Sequence, residues 1–332
     1  MLLSIIVPAY NAEKTIERCV VSLTGQSFSD IEIIIVNDGS TDGTAAIINT
    51  LQKTDGRIKC IHGKNRGVSY ARNCGMAAAC GEYIMFCDAD DTYKRDMCEK
   101  LISARSESGA DFTMCGYTEI YKSKTVQSPC PFSENDDIFS DIVLPLAFSG
   151  VNGFMGCITN GLFSSKIIKS EKLRFNENVR IAEDLLFLCS YLLCCKSFAG
   201  ISDCLYNYYL NDASVTKNYS GALEANCREL EKSLFFLLSA HGITPPENAA
   251  NKLALSFAIS LIINEARRGN KKPFVKKLLA AVAAPQIYKE RIKAVQGSSR
   301  TLKLKKMIAL NPLFSAAFFF IRRIQTLLGV AF

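Results

Sequence analysis

The chain has 332 residues, 48% apolar and 21% charged, enough for a large globular core and too few charges for a disordered segment. Its net charge of +7 averages two unlike parts: residues 265–332 hold 15 Lys and Arg against 2 acidic residues, a net +13, and the remainder holds 24 against 30, a net −6. Fourteen cysteines without one C-x-x-C pair, and only two histidines, argue against a disulfide framework or a zinc site and for buried, reduced thiols.

Strand and helix signals alternate from the start. "LSIIVPAY" is an apolar, β-branched run, and in "NAEKTIERCVVSLTGQ" residues Ile16, Cys19, Val20 and Leu23 recur on one helical face that Gly25 can end. "IEIIIVNDGSTDGT" is an apolar strand entering a turn-rich loop, followed by the helix "AAIINTLQ". Then come a strand "RIKCIHG", a helix "VSYARNCGMAAAC", a strand "EYIMFC", a helix "DMCEKLISARSES" and a strand "ADFTMCGYTEIY". Strands apolar on both faces and separated by helices predict a doubly wound, mainly parallel sheet over the first ~110 residues.

Past residue 120 the pattern weakens. "SPCPFSENDD" reads as a loop, "IFSDIVLPLAF" as a helix and "NGFMGCITNGLFSSKIIKS" as a mixed stretch. "NVRIAEDLLFLCSYLLCC" is an amphipathic helix opening with Glu183 and Asp184. From residue 217 onward everything reads as helix, interrupted near Gly242–Pro246, Pro285, Gly297 and Pro312. "MLLSIIVPAY" and "FSAAFFFI" are too short to span a bilayer, and the first has neither a basic leader nor a cleavage site, so the cytoplasm is expected.

Ligands of such sheets bind beyond the carboxyl ends of the strands, at a topological switch point. Three of those ends are polar here and should converge: Pro8-Ala9-Tyr10-Asn11, Asn37-Asp38-Gly39-Ser40 and Asp88-Ala89-Asp90-Asp91. Carboxylates spaced as Asp88 and Asp90 can share a hard divalent cation with substrate phosphates, or can form a helix-capping turn. Asp38 can accept from a base or ribose, or serve a turn. No G-x-G-x-x-G or G-x-x-x-x-G-K-[ST] follows these strands, against a dinucleotide fold and a P-loop enzyme. Lys64, Arg66 and Arg72 supply positive charge near the acidic ends; Arg72, set in a helix of small residues, is the one least explained as a surface charge.

Three blocks together, "SIIVPAYNAEKTIERCVVSLTGQSFSDIEIIIVNDGSTDGT", "NRGVSYARNCGM" and "GEYIMFCDADD", resemble the family-2-type inverting glycosyltransferases of bacterial cell-surface polysaccharides in order, spacing and content. "LRFNENVRIAEDLLF" and "YNYYLNDASVT" (Tyr206 to Thr216) resemble that family's acceptor half. The resemblance implies an α/β GT-A fold with a helical C-terminal extension: a transferase domain over 1–216, divided into a donor half (1–110) and an acceptor half (111–216), and a basic helical region over 217–332. It implies a nucleotide-diphosphate sugar donor, most often a uridine one. Pro8, Ala9 and Tyr10 would line the nucleotide pocket, Asp38 would contact the base, and Arg72 and Ala89 would lie beside the nucleotide. Asp88 would reach ribose or metal, and Asp90 would ligate Mn²⁺ or Mg²⁺. Glu183 and Asp184 would form the catalytic pair, with Asp184 as base. One departure is the absence of any Trp, which relatives often carry near the positions of Thr159 to Phe163.

The basic stretch 265–332, with "NPLFSAAFFFIRRIQTLLGVAF", suits a helix lying on an anionic membrane surface, which a lipid-linked glycan acceptor would explain. Peripheral attachment at the inner face of the cell membrane follows as an expectation. The alternative is a helical extension packed on the domain. Nucleic acid is not expected, for want of interleaved aromatic and basic residues. Rival readings are a nucleotidyltransferase, which would carry a Gly-rich basic loop where this chain has "PAYNAEKT", and a non-catalytic sugar-nucleotide-binding or scaffold protein.

Overall fold

The computed structural model describes residues 2–148, 157–210, 220–267, 283–296 and 300–312, with positions 280, 314–316, 318, 319 and 322 besides. The chain divides into two compact units, Met1–Asn211 and Asp212–Phe332.

In the first unit, strand β1 (Leu3–Ala9) leads to helix α1 (Ile16–Thr24), β2 (Ile31–Asn37) to α2 (Thr44–Thr54), and β3 (Ile58–His62) to α3 (Val68–Ala78) before β4 (Tyr83–Phe86). Every residue of β1 and β2 is buried, as strands covered by helices on both faces must be. Helix α1 buries Ile16, Cys19, Val20 and Leu23, the apolar stripe of its sequence. β2, β1 and β4 are parallel neighbours, with Ile5 opposite both Ile33 and Met85. β3 pairs with β2 on the far side.

The chain continues through β5 (Thr92–Tyr93), α4 (Met97–Ser108), β6 (Phe112–Ile120), β7 (Thr125–Ser128), α5 (Leu144–Phe148), β8 (Gly161–Ser164), α6 (Ser165–Ser170), α7 (Glu183–Leu192) and β9 (Phe198–Tyr209). The nine strands run in the order β3-β2-β1-β4-β8-β6-β9-β5, with β7 attached to β6. The sheet is mixed: β8 lies antiparallel between β4 and β6. It comes from the stretch that reads as mixed in sequence, because four residues are too few to show a period of two. An antiparallel strand begins at the edge where its parallel neighbours end. β8 therefore carries Cys157 to Asn160 to the carboxyl edge of β4.

Aromatic rings fill the core around β8. Phe86 meets Phe163, Phe175 and Phe187 edge to face at 5.5–6.0 Å, and Phe163 also packs on Phe112 and Tyr191. Thr159 to Phe163 are buried, so this segment is core, filled by Phe163 in a chain without Trp. Eight of the fourteen cysteines are buried.

The second unit is helical, with α8 (Leu223–Ala240), α9 (Glu247–Arg267), α10 (Lys289–Ala294) and α11 (Arg300–Leu310). Cys227, Leu230, Leu234 and Leu238 form the buried stripe of α8. Arg291 of α10 pairs with Glu231 of α8 at 2.6 Å and donates to the Ala250 carbonyl. Among the described residues no helix is long and apolar enough to cross a membrane.

The approach of α3 to β1 depends on a glycine: a Cβ on Gly75 would run into the Ile6 side chain. Gly75→Ala is expected to destabilise the protein by about 1–3 kcal/mol, as overpacking does. A lowered urea midpoint at unchanged slope checks this; an unchanged midpoint refutes it.

Candidate active site

The strand order reverses at β1, whose neighbours are β2 on one side and β4 on the other, and the polar strand ends meet at that crevice. The ends are laced together by backbone bonds: Asp38 N–H donates to Ala9 O (2.9 Å) and Cys87 N–H to Ile6 O (3.0 Å). The loop after β1 is locked to the loop after β2. Asn11 N–H donates to Ser40 Oγ (3.0 Å), Ala12 N–H to Thr44 Oγ1 (2.7 Å) and Gly43 N–H to Glu13 Oε2 (2.8 Å). Asn11 has φ 50°, a left-handed conformation that Asn tolerates. Pro8 and Ala9 are buried, whereas Tyr10 presents half its surface.

Asp38 is buried, and both its carboxylate oxygens accept backbone N–H groups, from Arg66 (2.9 Å) and Gly67 (2.7 Å). It thereby holds the Gly63–Gly67 loop against the sheet. Gly39 beside it has φ 72°, and a Cβ there would strike Asn65 N at 2.5 Å. The Arg66 guanidinium lies outside, 3.7 Å over the Tyr70 ring and 3.4 Å from Glu177.

Arg72 is the centre of the site. Its guanidinium is buried and donates to Asp88 Oδ1 from Nη2 and to Glu183 Oε1 from Nη1, each at 2.9 Å. Burial alone would lower its pKa; the carboxylates of Asp88, Glu183 and Asp184 outweigh that and raise it. The next residue, Asn73, clamps the chain ahead of α7: its amide accepts from Phe175 N–H (2.9 Å) and donates to Phe175 O (3.0 Å). Phe175 in turn stacks on Phe187 of α7, with centroids 4.1 Å apart and rings nearly parallel. Two adjacent residues of α3 thus fix where α7 begins.

Ala182, just before α7, has φ 60°, a left-handed conformation costing a non-glycine residue about 1–2 kcal/mol. Strain of that kind persists where surrounding packing over-determines it, and it marks candidate functional positions. The two acids that follow differ. Glu183 is buried against Arg72, and burial, helped by the charge of Asp184, pushes its pKa up to about 7. Asp184 is partly exposed; Oδ1 accepts from Leu185 N–H at 2.8 Å. Burial raises its pKa and the Arg72 charge works against that rise.

The carboxylates of the Asp88–Asp91 turn are separated by environment. Asp88 is bound to Arg72, and about a third of its side chain is exposed. Ala89 is buried, and the Asp90 carbonyl accepts from Arg18 Nη2 at 2.6 Å. Asp91 is fully buried, accepting from Tyr206 Oη and from Tyr209 N–H (2.8 Å). Burial pushes its pKa up to about 8, and the charges of Asp88 and Asp90 add to the rise. Asp91 is thus a tie between the turn and β9. Arg18 completes it, its guanidinium 3.7 Å over the Tyr209 ring.

Among the described residues no three His, Cys, Asp or Glu side chains are grouped to hold a metal ion by themselves. Asp88 and Asp90, hard oxygen donors two positions apart at the strand end, are the residues whose chemistry would suit a Mg²⁺ or Mn²⁺ ion.

Sequence reading placed Asp91 at a convergent strand end without giving it a role, and it did not assign Tyr206, Tyr209, Arg18 or Asn73 to this site. Tyr206 and Tyr209 lie in a segment that the resemblance singled out, and Asn73 adjoins Arg72; Arg18 carried no signal. Cys157 is also drawn in, for burial and the nearby charges of Asp184, Asp88 and Asp91 raise its thiol pKa. Residues 211–216 of the tyrosine segment lie outside the described residues, as does most of the tail beyond Pro312.

A mixed α/β sheet with acidic ends on its parallel strands, completed by an acidic helix start, is the arrangement expected of a GT-A glycosyltransferase. Residues 4–159 match the model of glycosyl transferase family 2. The uncharacterised glycosyltransferase EpsJ of Bacillus subtilis is 32% identical over 244 residues, covering 73% of this chain and 71% of that one. TuaG of the same organism, a putative teichuronic acid biosynthesis glycosyltransferase, is 29% identical over 255 residues, covering 76% and 97%. This chain belongs to glycosyl transferase family 2. Among solved structures, S. aureus TarS 1–349 in complex with UDP-GlcNAc superposes with a TM-score of 0.65 at 18% identity, covering 100% of this chain and 93% of that one. The mannosyltransferase PcManGT from Pyrobaculum calidifontis, in complex with GDP-Man and Mn²⁺, gives a TM-score of 0.52 at 16% identity, covering 98% and 86%.

Two outcomes are expected. Arg72→Met strands the buried Glu183 and the partly exposed Asp88 without their counter-charge and should lower stability by about 3 kcal/mol in urea unfolding; a loss under about 1 kcal/mol would contradict the central role of the guanidinium. For Asp91 the folded state holds a proton, up to about pH 8, that the unfolded chain releases near pH 4. Its contribution therefore falls as pH rises through that window. In metal-free protein, Asp91→Asn should gain on the wild type steadily from pH 5 to pH 8; parallel stability curves would refute this.

Proposed function

We propose that this glycosyltransferase moves a sugar from a nucleotide-diphosphate donor, a uridine one, to a hydroxyl of a glycan or lipid-linked glycan, with inversion at the anomeric carbon. The single observation that carries the reading is the guanidinium of Arg72, which joins Asp88 at the donor-side strand end to Glu183 beside Asp184. The donor class is supported by TarS, solved with UDP-GlcNAc, and PcManGT, solved with GDP-Man and Mn²⁺. Relatives such as TuaG support a role in building cell-surface polysaccharide. In this reading the protein works at the inner face of the cell membrane.

Each residue then has a task. Tyr10, half exposed beyond buried Pro8 and Ala9, offers a face to the base. Asp38 shapes the same pocket by holding the Gly63–Gly67 loop, with lone pairs still able to accept from the base. Ala89 keeps the floor small, and Asp88 reaches toward ribose. A divalent cation held by Asp90 and Asp88 would stabilise the charge gathering on the leaving diphosphate.

Asp184 takes the proton of the acceptor hydroxyl as its oxygen attacks the anomeric carbon and the bond to the diphosphate breaks. Its raised pKa suits a general base, since basicity nearer the working pH favours proton transfer. Glu183 is a positioning residue: bound to Arg72, it holds the start of α7 and leaves Asp184 to face the acceptor.

Asp184→Asn should lower kcat roughly 10²- to 10⁴-fold while nucleotide-sugar affinity, measured by calorimetry, stays within a few-fold. Near-normal turnover would sink the assignment. The acid limb of the kcat/KM profile should lie above the ordinary carboxylate range near pH 4, because activity needs Asp184 ionised and its pKa is raised. A profile flat down to pH 4 would contradict it.

A further inference from the structure

Exposed large apolar side chains are unevenly shared between the two units. Among the described residues the first unit has three, Tyr10, Val21 and Val126, across some two hundred positions. The smaller second unit has five, and three of them fall within one short stretch: Leu304 (51% exposed), Met307 (39%) and Phe314 (42%). Single exposed apolar residues need no explanation, but a cluster does.

Helix α11 already uses one face for packing. Ile308 and Ala309 are buried, and Ile308 joins Ile262 and Phe319 in a small core cluster. Leu304 and Met307, at i and i+3, are neighbours on the surface left over. Lys306 is spent within the unit, donating to the carbonyls of Lys293 and Val295. Lys303 and Lys305 remain exposed, flanking Leu304. Only two acidic residues occur in the whole stretch 265–332, against fifteen basic ones. Apolar side chains rimmed by lysines, in a segment of uniformly positive charge, complement a surface that is anionic outside and apolar beneath.

We infer that α11 docks on an anionic phospholipid bilayer, seating Leu304 and Met307 below the headgroups while Lys303 and Lys305 bind lipid phosphates. This deepens the membrane location proposed above and is independent of the catalytic assignments.

The test is co-sedimentation of the full chain with vesicles of phosphatidylcholine alone and of equal parts phosphatidylcholine and phosphatidylglycerol. Binding is expected only to the anionic vesicles, and high salt should release it. Lys303→Gln with Lys305→Gln should weaken partitioning about 25-fold, since each basic residue near such a surface is worth roughly fivefold. Leu304→Ser with Met307→Ser should weaken it at least tenfold. Both pairs should keep the wild-type unfolding midpoint and the rate of donor hydrolysis measured without vesicles. Equal binding to both vesicle types, no binding, or variants that sediment like the wild type would overturn the inference. So would self-association of the wild type that Leu304→Ser with Met307→Ser abolishes, which would assign the surface to a second copy of the chain. Vesicle binding without any nucleotide-sugar turnover would defeat the proposed function and leave this inference standing.

Discussion

A guanidinium taken out of water is tolerated only where opposite charge replaces its hydration, and the first unit is arranged around one such group. Arg72 sits in a helix of small residues close to β1, with Gly75 allowing the approach. Its two ends reach carboxylates from different parts of the chain, Asp88 after β4 and Glu183 at the start of α7. Glu183 could not be buried where it is without Arg72, and Asp88, partly exposed, shares the same counter-charge. The helix carrying Asp184 is thereby tied to the strand end carrying Asp90.

The same cluster explains why neighbouring acids behave differently. Four carboxylates close together cannot all be buried and ionised. Asp88 has Arg72 and partial exposure, while Asp91 is enclosed between tyrosines and kept protonated toward neutral pH. Glu183 shares Arg72, and Asp184 is partly open. Burial and a single shared cation divide one acidic cluster into a structural tie, a buried bridge and two partly exposed groups. The proposed chemistry requires that kind of division, for a base must ionise while its neighbours hold geometry.

Much of the scaffold was legible in the sequence because its signals are local. β1 and β2 are uninterrupted apolar runs and are buried along their whole length. The stripe Ile16, Cys19, Val20 and Leu23 reads as a helix and packs as one. Other features were not legible. β8 is four residues long and takes its place from β4 and β6 on either side. Asp38 reads as a ligand for a nucleotide base, yet its oxygens also fasten the Arg66 and Gly67 backbone, a contact that exists only once β2 and α3 are in place. In α11 the apolar pattern announces a helix without telling that Ile308 is covered and Leu304 is not.

By itself, then, the sequence determined the first four strands and the helices between them, that three strand ends are polar, and that an acidic pair opens a helix far downstream. Those are patterns repeated over a few residues, where chemistry and backbone geometry suffice. The tertiary structure alone decided which charge meets which. Arg72 lies 16 positions from Asp88 and 111 from Glu183, and partners so distant are chosen by packing rather than by spacing. It also decided which carboxylates keep their protons, because burial is a property of the folded surroundings and not of the residue.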